Sequence, residues 1–247
     1  MIKDLDRFEE KLSEYNENGA QSTIGTLNEK ILHSVVKNYC EDNAAFQEVE
    51  LSGFVADIFD GTRVCEIQTR NFNNLNKKLA VFLEDYDVTV VYPCAHVKHI
   101  VWVDPESGEI IKRNKSPKLG NGCEFLYEAS RIRKLLGHPR LKFVIMLIDM
   151  DEYKLLNGYG KNKKNRANRM ELRPIALFDV VNIESKYDLL KILPPDFPRN
   201  EFGFKDFEKV MKMKDRKARF SLNALIEFGA VDIIGKDKNS YVYKLII

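Results

Sequence analysis

The stretch Gly53-Phe-Val-Ala-Asp-Ile-Phe-Asp-Gly-Thr-Arg-Val-Cys-Glu-Ile-Gln-Thr69 decides how this chain is read. Asp60-Gly61 is a hairpin signal, because a tight turn takes positive φ and Gly adopts it at little cost. Apolar, β-branched runs flank it, Phe54 to Phe59 and Thr62 to Ile67, and predict two antiparallel strands. With Asp60 and Gly61 as the loop, Phe59 pairs with Thr62, Asp57 with Val64 and Val55 with Glu66. Period-two alternation then puts Asp57, Glu66 and Gln68 on one face. Asp57 and Glu66 become diagonal neighbours, roughly 7–8 Å apart at Cα, close enough for both carboxylates to hold one ion. Two acids in an apolar hairpin are costly to bury unless a hard cation compensates them; the alternative is that both face solvent.

The chain has 247 residues, enough for one large core or two domains. It is 44% hydrophobic and 31% charged, as soluble globular proteins are. No apolar run approaches the roughly 20 residues of a membrane span, and the charged start Met1-Ile-Lys-Asp-Leu-Asp-Arg7 has no signal-peptide core. A cytosolic protein without membrane partners is expected. Cys40, Cys65, Cys94 and Cys123 form no close pair, which argues against zinc and redox motifs. The net charge is only +2, so the placement of the cations carries the information.

Residues 1–23 read as a helical extension through Leu5, Phe8 and Leu12. Thr26-Leu-Asn-Glu29 fits a capping box, and Leu27, Ile31, Val35 and Tyr39 continue as a buried helical stripe. Glu29 serves that cap or reaches the acidic site, and His33, one turn later, is a surface residue or a supporting partner of the site. After a strand at Phe46 to Leu51 and the hairpin comes a helix over Asn73 to Asp85. Its buried face is Leu75, Leu79, Phe82 and Leu83, with Lys77 and Lys78 opposite. Val88 to Tyr92 is continuously apolar, as in a fully buried strand, and Ile100 to Val103 is one more strand. The order predicts an α/β sheet flanked by helices.

A helical Glu, an Asp late in the second strand, a Glu-x-Lys or Glu-x-Gln on the third, then a helix and a strand resembles the PD-(D/E)XK (restriction-endonuclease-like) nuclease superfamily. Glu29, Asp57 and Glu66-Ile67-Gln68 carry the resemblance, which covers about residues 24–104. It implies a mixed sheet flanked by helices. Mg²⁺ or Mn²⁺ would be held by Asp57, Glu66 and the Ile67 carbonyl. Gln68 would orient the attacking water where Lys is usual, Glu29 would complete the site, and double-stranded DNA would be cut, often by a homodimer.

Two basic runs follow. Lys112-Arg113-Asn114-Lys115-Ser116-Pro117-Lys118 reads as a basic loop. Lys161, Lys163, Lys164, Arg166, Arg169 and Arg173 lie in a long connection between strands at Leu141 to Ile148 and Arg173 to Phe178. Each run is a solvated loop or a phosphate-binding surface. Leu193-Pro-Pro-Asp-Phe-Pro198 is the best boundary, giving a nuclease-like unit at 24–182 (core 24–104, basic elaboration 105–182) and a second unit at 186–247. The latter reads helix, helix, hairpin, a winged-helix-like pattern with Arg216, Lys217 and Arg219 on or near its recognition helix. The leading reading is a metal-dependent DNA endonuclease. The alternatives are a catalytically inert DNA-binding protein of the same fold and a protein-interaction module.

Overall fold

The computed structural model describes residues 1–19, 30–156 and 168–247, with side chains for 1–17, 31–156 and 171–247. Helix α1 (Leu5–Gly19) and α2 (Lys30–Cys40) precede β1 (Gln47–Leu51), β2 (Phe54–Phe59) and β3 (Arg63–Ile67). Next come α3 (Asn76–Asp85), β4 (Asp87–Val103), β5 (Ile110–Lys115), α4 (Phe125–Ala129), β6 (Leu141–Leu155) and β7 (Asn168–Ile183). Among the described residues these strands form one seven-stranded mixed sheet in the order β1-β2-β3-β4-β6-β7, with β5 added beside β4. β4 runs parallel to β3 and β6, and the remaining pairs are antiparallel.

Helices cover both faces because the central strands are apolar on both. On β6, Phe143, Ile145 and Leu147 enter one core with α3 and α4, while Val144, Met146 and Ile148 enter another with α1 and α2. That alternation is the period-two pattern of a pleated strand. In the second core Phe8 of α1 meets Tyr39 of α2 edge-on at 5.6 Å.

The strands run far beyond the expected bounds. Val88 to Tyr92 and Ile100 to Val103 belong to one 17-residue strand, and β6 and β7 reach 15 and 16 residues. The basic run at Lys112 to Lys115 is therefore strand, not loop. Local pattern misses these outer halves because their residues are polar and are matched across strands. Lys98 meets Glu152 at 2.8 Å, His96 meets Asp149 at 2.9 Å and Arg113 meets Asp151 at 2.9 Å.

The last segment holds β8 (Glu201–Gly203), α5 (Phe204–Met211), α6 (Asp215–Glu227), β9 (Val231–Asp237) and β10 (Ser240–Leu245), with strand order β8-β10-β9. Gly229, at φ +69°, ends α6, and the Ala230 N–H closes on the Leu225 carbonyl at 2.9 Å. The apolar core is continuous with that of the large sheet: the Phe125 ring lies 4.9 Å from Phe143 and 6.2 Å from Phe228. Among the described residues, no helix is long and apolar enough to cross a membrane.

Candidate functional site

The β2–β3 hairpin turns at Asp60 to Thr62, and its register differs from the two-residue expectation. Phe59 pairs with Val64 and Ile58 with Cys65. The Asp60 carboxylate holds the wider turn by accepting the Thr62 and Arg63 N–H groups at 2.9 and 2.8 Å. That register is shifted by two residues from the expected pairing, and the ladder ends at Ile58↔Cys65, short of Asp57 and Glu66.

There side chains take over from the ladder. The Ile67 N–H donates to Asp57 Oδ2 at 2.7 Å, and the Asp57 N–H donates to Glu66 Oε1 at 3.3 Å. Both acids are thus held by backbone donors. A helix flanks each: His33 Nε2 of α2 lies 3.4 Å from Asp57 Oδ2, and Lys78 Nζ of α3 lies 2.6 Å from Glu66 Oε2. Glu66 is only 2% exposed and Lys78 17%. Lys78 therefore does not sit on the solvent face assigned from the helical pattern. It is three residues after Leu75 and four before Phe82, beside the buried stripe, and that position is the signal a sequence reading could have used.

These carboxylates open into a cleft of about 720 Å³ that is also lined by Ser34, Lys37, Glu48, Gln68 and Asn74. Lys37 and Glu48 pair across it at 2.6 Å. Gln68 lines the cleft, and its amide donates to the Arg70 carbonyl. Glu29 lies outside the described residues.

The two acids are tuned apart. Burial pushes Glu66 up to about 7, with the Asp57 charge adding to the shift and Lys78 opposing it. Burial acts to raise Asp57 as well, but the His33 hydrogen bond and charge, the Ile67 N–H and Lys78 outweigh it and hold the group below its ordinary value. For Glu66 the folded protein keeps a proton that the unfolded chain releases at its ordinary 4.5. Its contribution to stability is therefore present below pH 4.5 and is lost as pH rises to about 7. In EDTA, the melting temperature of Glu66→Gln should fall less than that of wild type between pH 5 and pH 8. Parallel melting curves of the two proteins over that range would remove this account.

Among the described residues, no three His, Cys, Asp or Glu side chains converge closely enough to hold a metal by themselves. Two carboxylates lining an open cleft still suit Mg²⁺, which keeps several waters and takes one or two protein carboxylates. Asp57 and Glu66 are the residues that could hold it, next to the Ile67 backbone.

The expected DNA-binding cations whose side chains are described lie on β5 and just after it, and on α6. Lys112 and Lys115 are exposed on β5, whereas Arg113 is held by Asp151 and Lys118 by Glu124. Lys161, Lys163, Lys164 and Arg166 lie outside the described residues, and Arg169 is described by its backbone in β7 alone. On α6, Arg216 stacks over Phe220 at 5.3 Å, Arg219 over Phe204 at 4.7 Å and Lys217 over Tyr127 of α4 at 5.7 Å. α6 thus turns Lys217 toward the large sheet's helices and leaves Arg216 and Arg219 exposed.

Comparison with known proteins gives a relative without a described activity. A protein of Treponema pallidum (strain Nichols), named "Uncharacterized protein", is 29% identical over 178 residues, covering 71% of this chain and 70% of that one. No solved structure matches the chain. A family model described as Domain of unknown function (DUF8091) matches residues 30–184, from the first residue of α2 to just past β7. The chain belongs to that family.

Proposed function

We propose that this protein is a metal-dependent DNA endonuclease related to the PD-(D/E)XK nucleases. The observation that carries the reading is the set Asp57, Glu66 and Lys78: two carboxylates of the hairpin, with an ammonium 2.6 Å from one of them, in an open cleft. The order α2, β1 to β3, α3, β4, with β4 parallel to β3, supports it. A bound Mg²⁺ would supply polarisation of the phosphate and a more acidic water.

The chain's own groups do the rest. Asp57, kept ionised by His33 and the Ile67 N–H, presents a permanent negative charge. Lys78 supplies beside Glu66 the positive charge that the motif lysine supplies in related nucleases, and so takes over what Gln68 lacks. Charge developing on the phosphate oxygens is stabilised by that fixed ammonium. The β4–β5 hairpin carries Lys112 and Lys115 outward, where they neutralise DNA phosphates. In the C-terminal segment, β8-β10-β9 with α5 and α6 between β8 and β9 supports the winged-helix reading, with Arg216 and Arg219 available to the duplex.

The test is plasmid nicking across Mg²⁺ and Mn²⁺. Wild-type protein should nick in either metal and not in EDTA. Lys78→Ala should lose about 100-fold, the usual order for one preorganised donor, while Gln68→Ala loses less than about tenfold. Absence of metal-dependent nicking by pure wild-type protein would sink the endonuclease reading, and equal losses in both variants would sink the assignment of Lys78.

A further inference from the structure

Thr69 lines the carboxylate cleft and also a second cavity, of about 330 Å³. A bulge in β4 lies along that cavity. His96 and Val97 both stand opposite Asp149 of β6, since pairing passes from Ala95↔Ile148 to Lys98↔Met150. Asp149 secures the bulge, accepting the Val97 N–H at 3.0 Å and lying 2.9 Å from His96 Nδ1. The His96 ring is further fixed by stacking on Phe178 at 3.5 Å, which leaves Nε2 as its remaining polar edge. The opposite wall is Gly120, whose N–H donates to the His96 carbonyl at 2.8 Å. A Cβ there would sit 1.9 Å from the Ala95 carbonyl oxygen, so the close approach requires glycine.

The lining has two chemistries. Leu32 and Met150, from the core with α2, and Tyr92, from the core with α3 and α4, are its large apolar lining residues. Arg70, Lys98, Lys118 and Glu124 supply its charged groups. Lys98 and Lys118 are also held by Glu152 and Glu124, so they are ordered before any ligand arrives. An apolar lining with a few placed polar groups suits a flat heterocycle carrying a phosphate. The volume stands near the lower end of ligand pockets, roughly 300–1,000 Å³, and admits one nucleotide but no base pair. Thr69 follows Glu66 by three residues, a span of at most about 10 Å, so a nucleotide in this pocket adjoins a phosphate held at the carboxylates.

We infer that this pocket receives one unpaired nucleotide of the substrate strand, next to the phosphate at Asp57 and Glu66. The inference rests on the reading of the carboxylate cleft as a DNA cleavage site. It makes the preferred substrate a DNA with a bulged, mismatched or single-stranded nucleotide, because extruding a base from an intact duplex opposes binding and a base already unpaired avoids that opposition.

Fluorescence anisotropy in EDTA tests it without requiring turnover. Two labelled duplexes of one sequence are compared, perfect and with a single unpaired nucleotide. Wild-type protein should bind the second at least about tenfold more tightly, a difference of about 1.4 kcal/mol. Ser116→Phe, which fills the pocket from a surface loop, should erase the difference while its melting temperature stays at the wild-type value. Equal affinities in wild-type protein, or a preference that survives Ser116→Phe, would overturn the inference. Stabilisation by millimolar dTMP with no preference between the duplexes would assign the pocket to a free nucleotide and overturn the strand assignment. A preference without nicking in Mg²⁺ would support the pocket and count against the nuclease reading alone.

Discussion

Asp57→Ala and Glu66→Ala are each expected to lower Mg²⁺-dependent plasmid nicking about a thousandfold or more, because the metal's several kcal/mol of charge stabilisation are lost and each 1.36 kcal/mol is tenfold in rate. Alanine at 57 also leaves the Ile67 N–H without its acceptor, a loss of about 1–3 kcal/mol of stability for a buried donor. Asp57→Asn separates the two effects: its amide oxygen still accepts that N–H, while the carboxylate charge is gone. Activity should disappear in Asp57→Asn with the melting temperature close to wild type. Glu66→Ala leaves Lys78, 17% exposed, without its partner, so its stability should be measured beside its activity. Folded Asp57→Asn or Glu66→Ala protein that nicks DNA at the wild-type rate would refute the assignment of the site.

Phe125→Ala should destabilise the whole protein by about 3–5 kcal/mol, the range for deleting a buried aromatic side chain. Phe125 is fully buried, and its ring lies 6.2 Å from Phe72, 6.1 Å from Tyr92, 4.9 Å from Phe143 and 6.2 Å from Phe228. It therefore joins the helical turn after β3, strands β4 and β6, and the end of α6. A cavity there removes contacts from the sheet and from the C-terminal segment together. Urea denaturation should show one transition, shifted to lower denaturant and followed equally by probes in both regions. Two separated transitions, or a loss under about 1 kcal/mol, would show that the C-terminal segment folds independently of Phe125.

Several features were legible in the chain itself. Val88 to Tyr92 reads as a buried strand because its residues are apolar on both faces, and β4 is the central parallel strand. Ile31, Val35 and Tyr39 are buried as the stripe on α2. Gly229 stops α6 because only a residue at ease with positive φ closes that helix end. What escaped the sequence lies in charges that meet across strands. The outer halves of β4 and β6 look like broken polar segments until Lys98 is placed on Glu152 and Arg113 on Asp151. Those partners are 54 and 38 residues apart, and local pattern carries no trace of them.

The site divides along the same line. The sequence by itself determined that Asp57 and Glu66 share one hairpin. Only the tertiary structure decided that each acid accepts a backbone N–H where the ladder ends, that the Gln68 amide donates to Arg70, and that His33 and Lys78 become the partners of Asp57 and Glu66. Those outcomes depend on the turn actually formed and on how α2 and α3 pack on opposite faces of the sheet. Such packing is set by the whole core, beyond the reach of any local spacing.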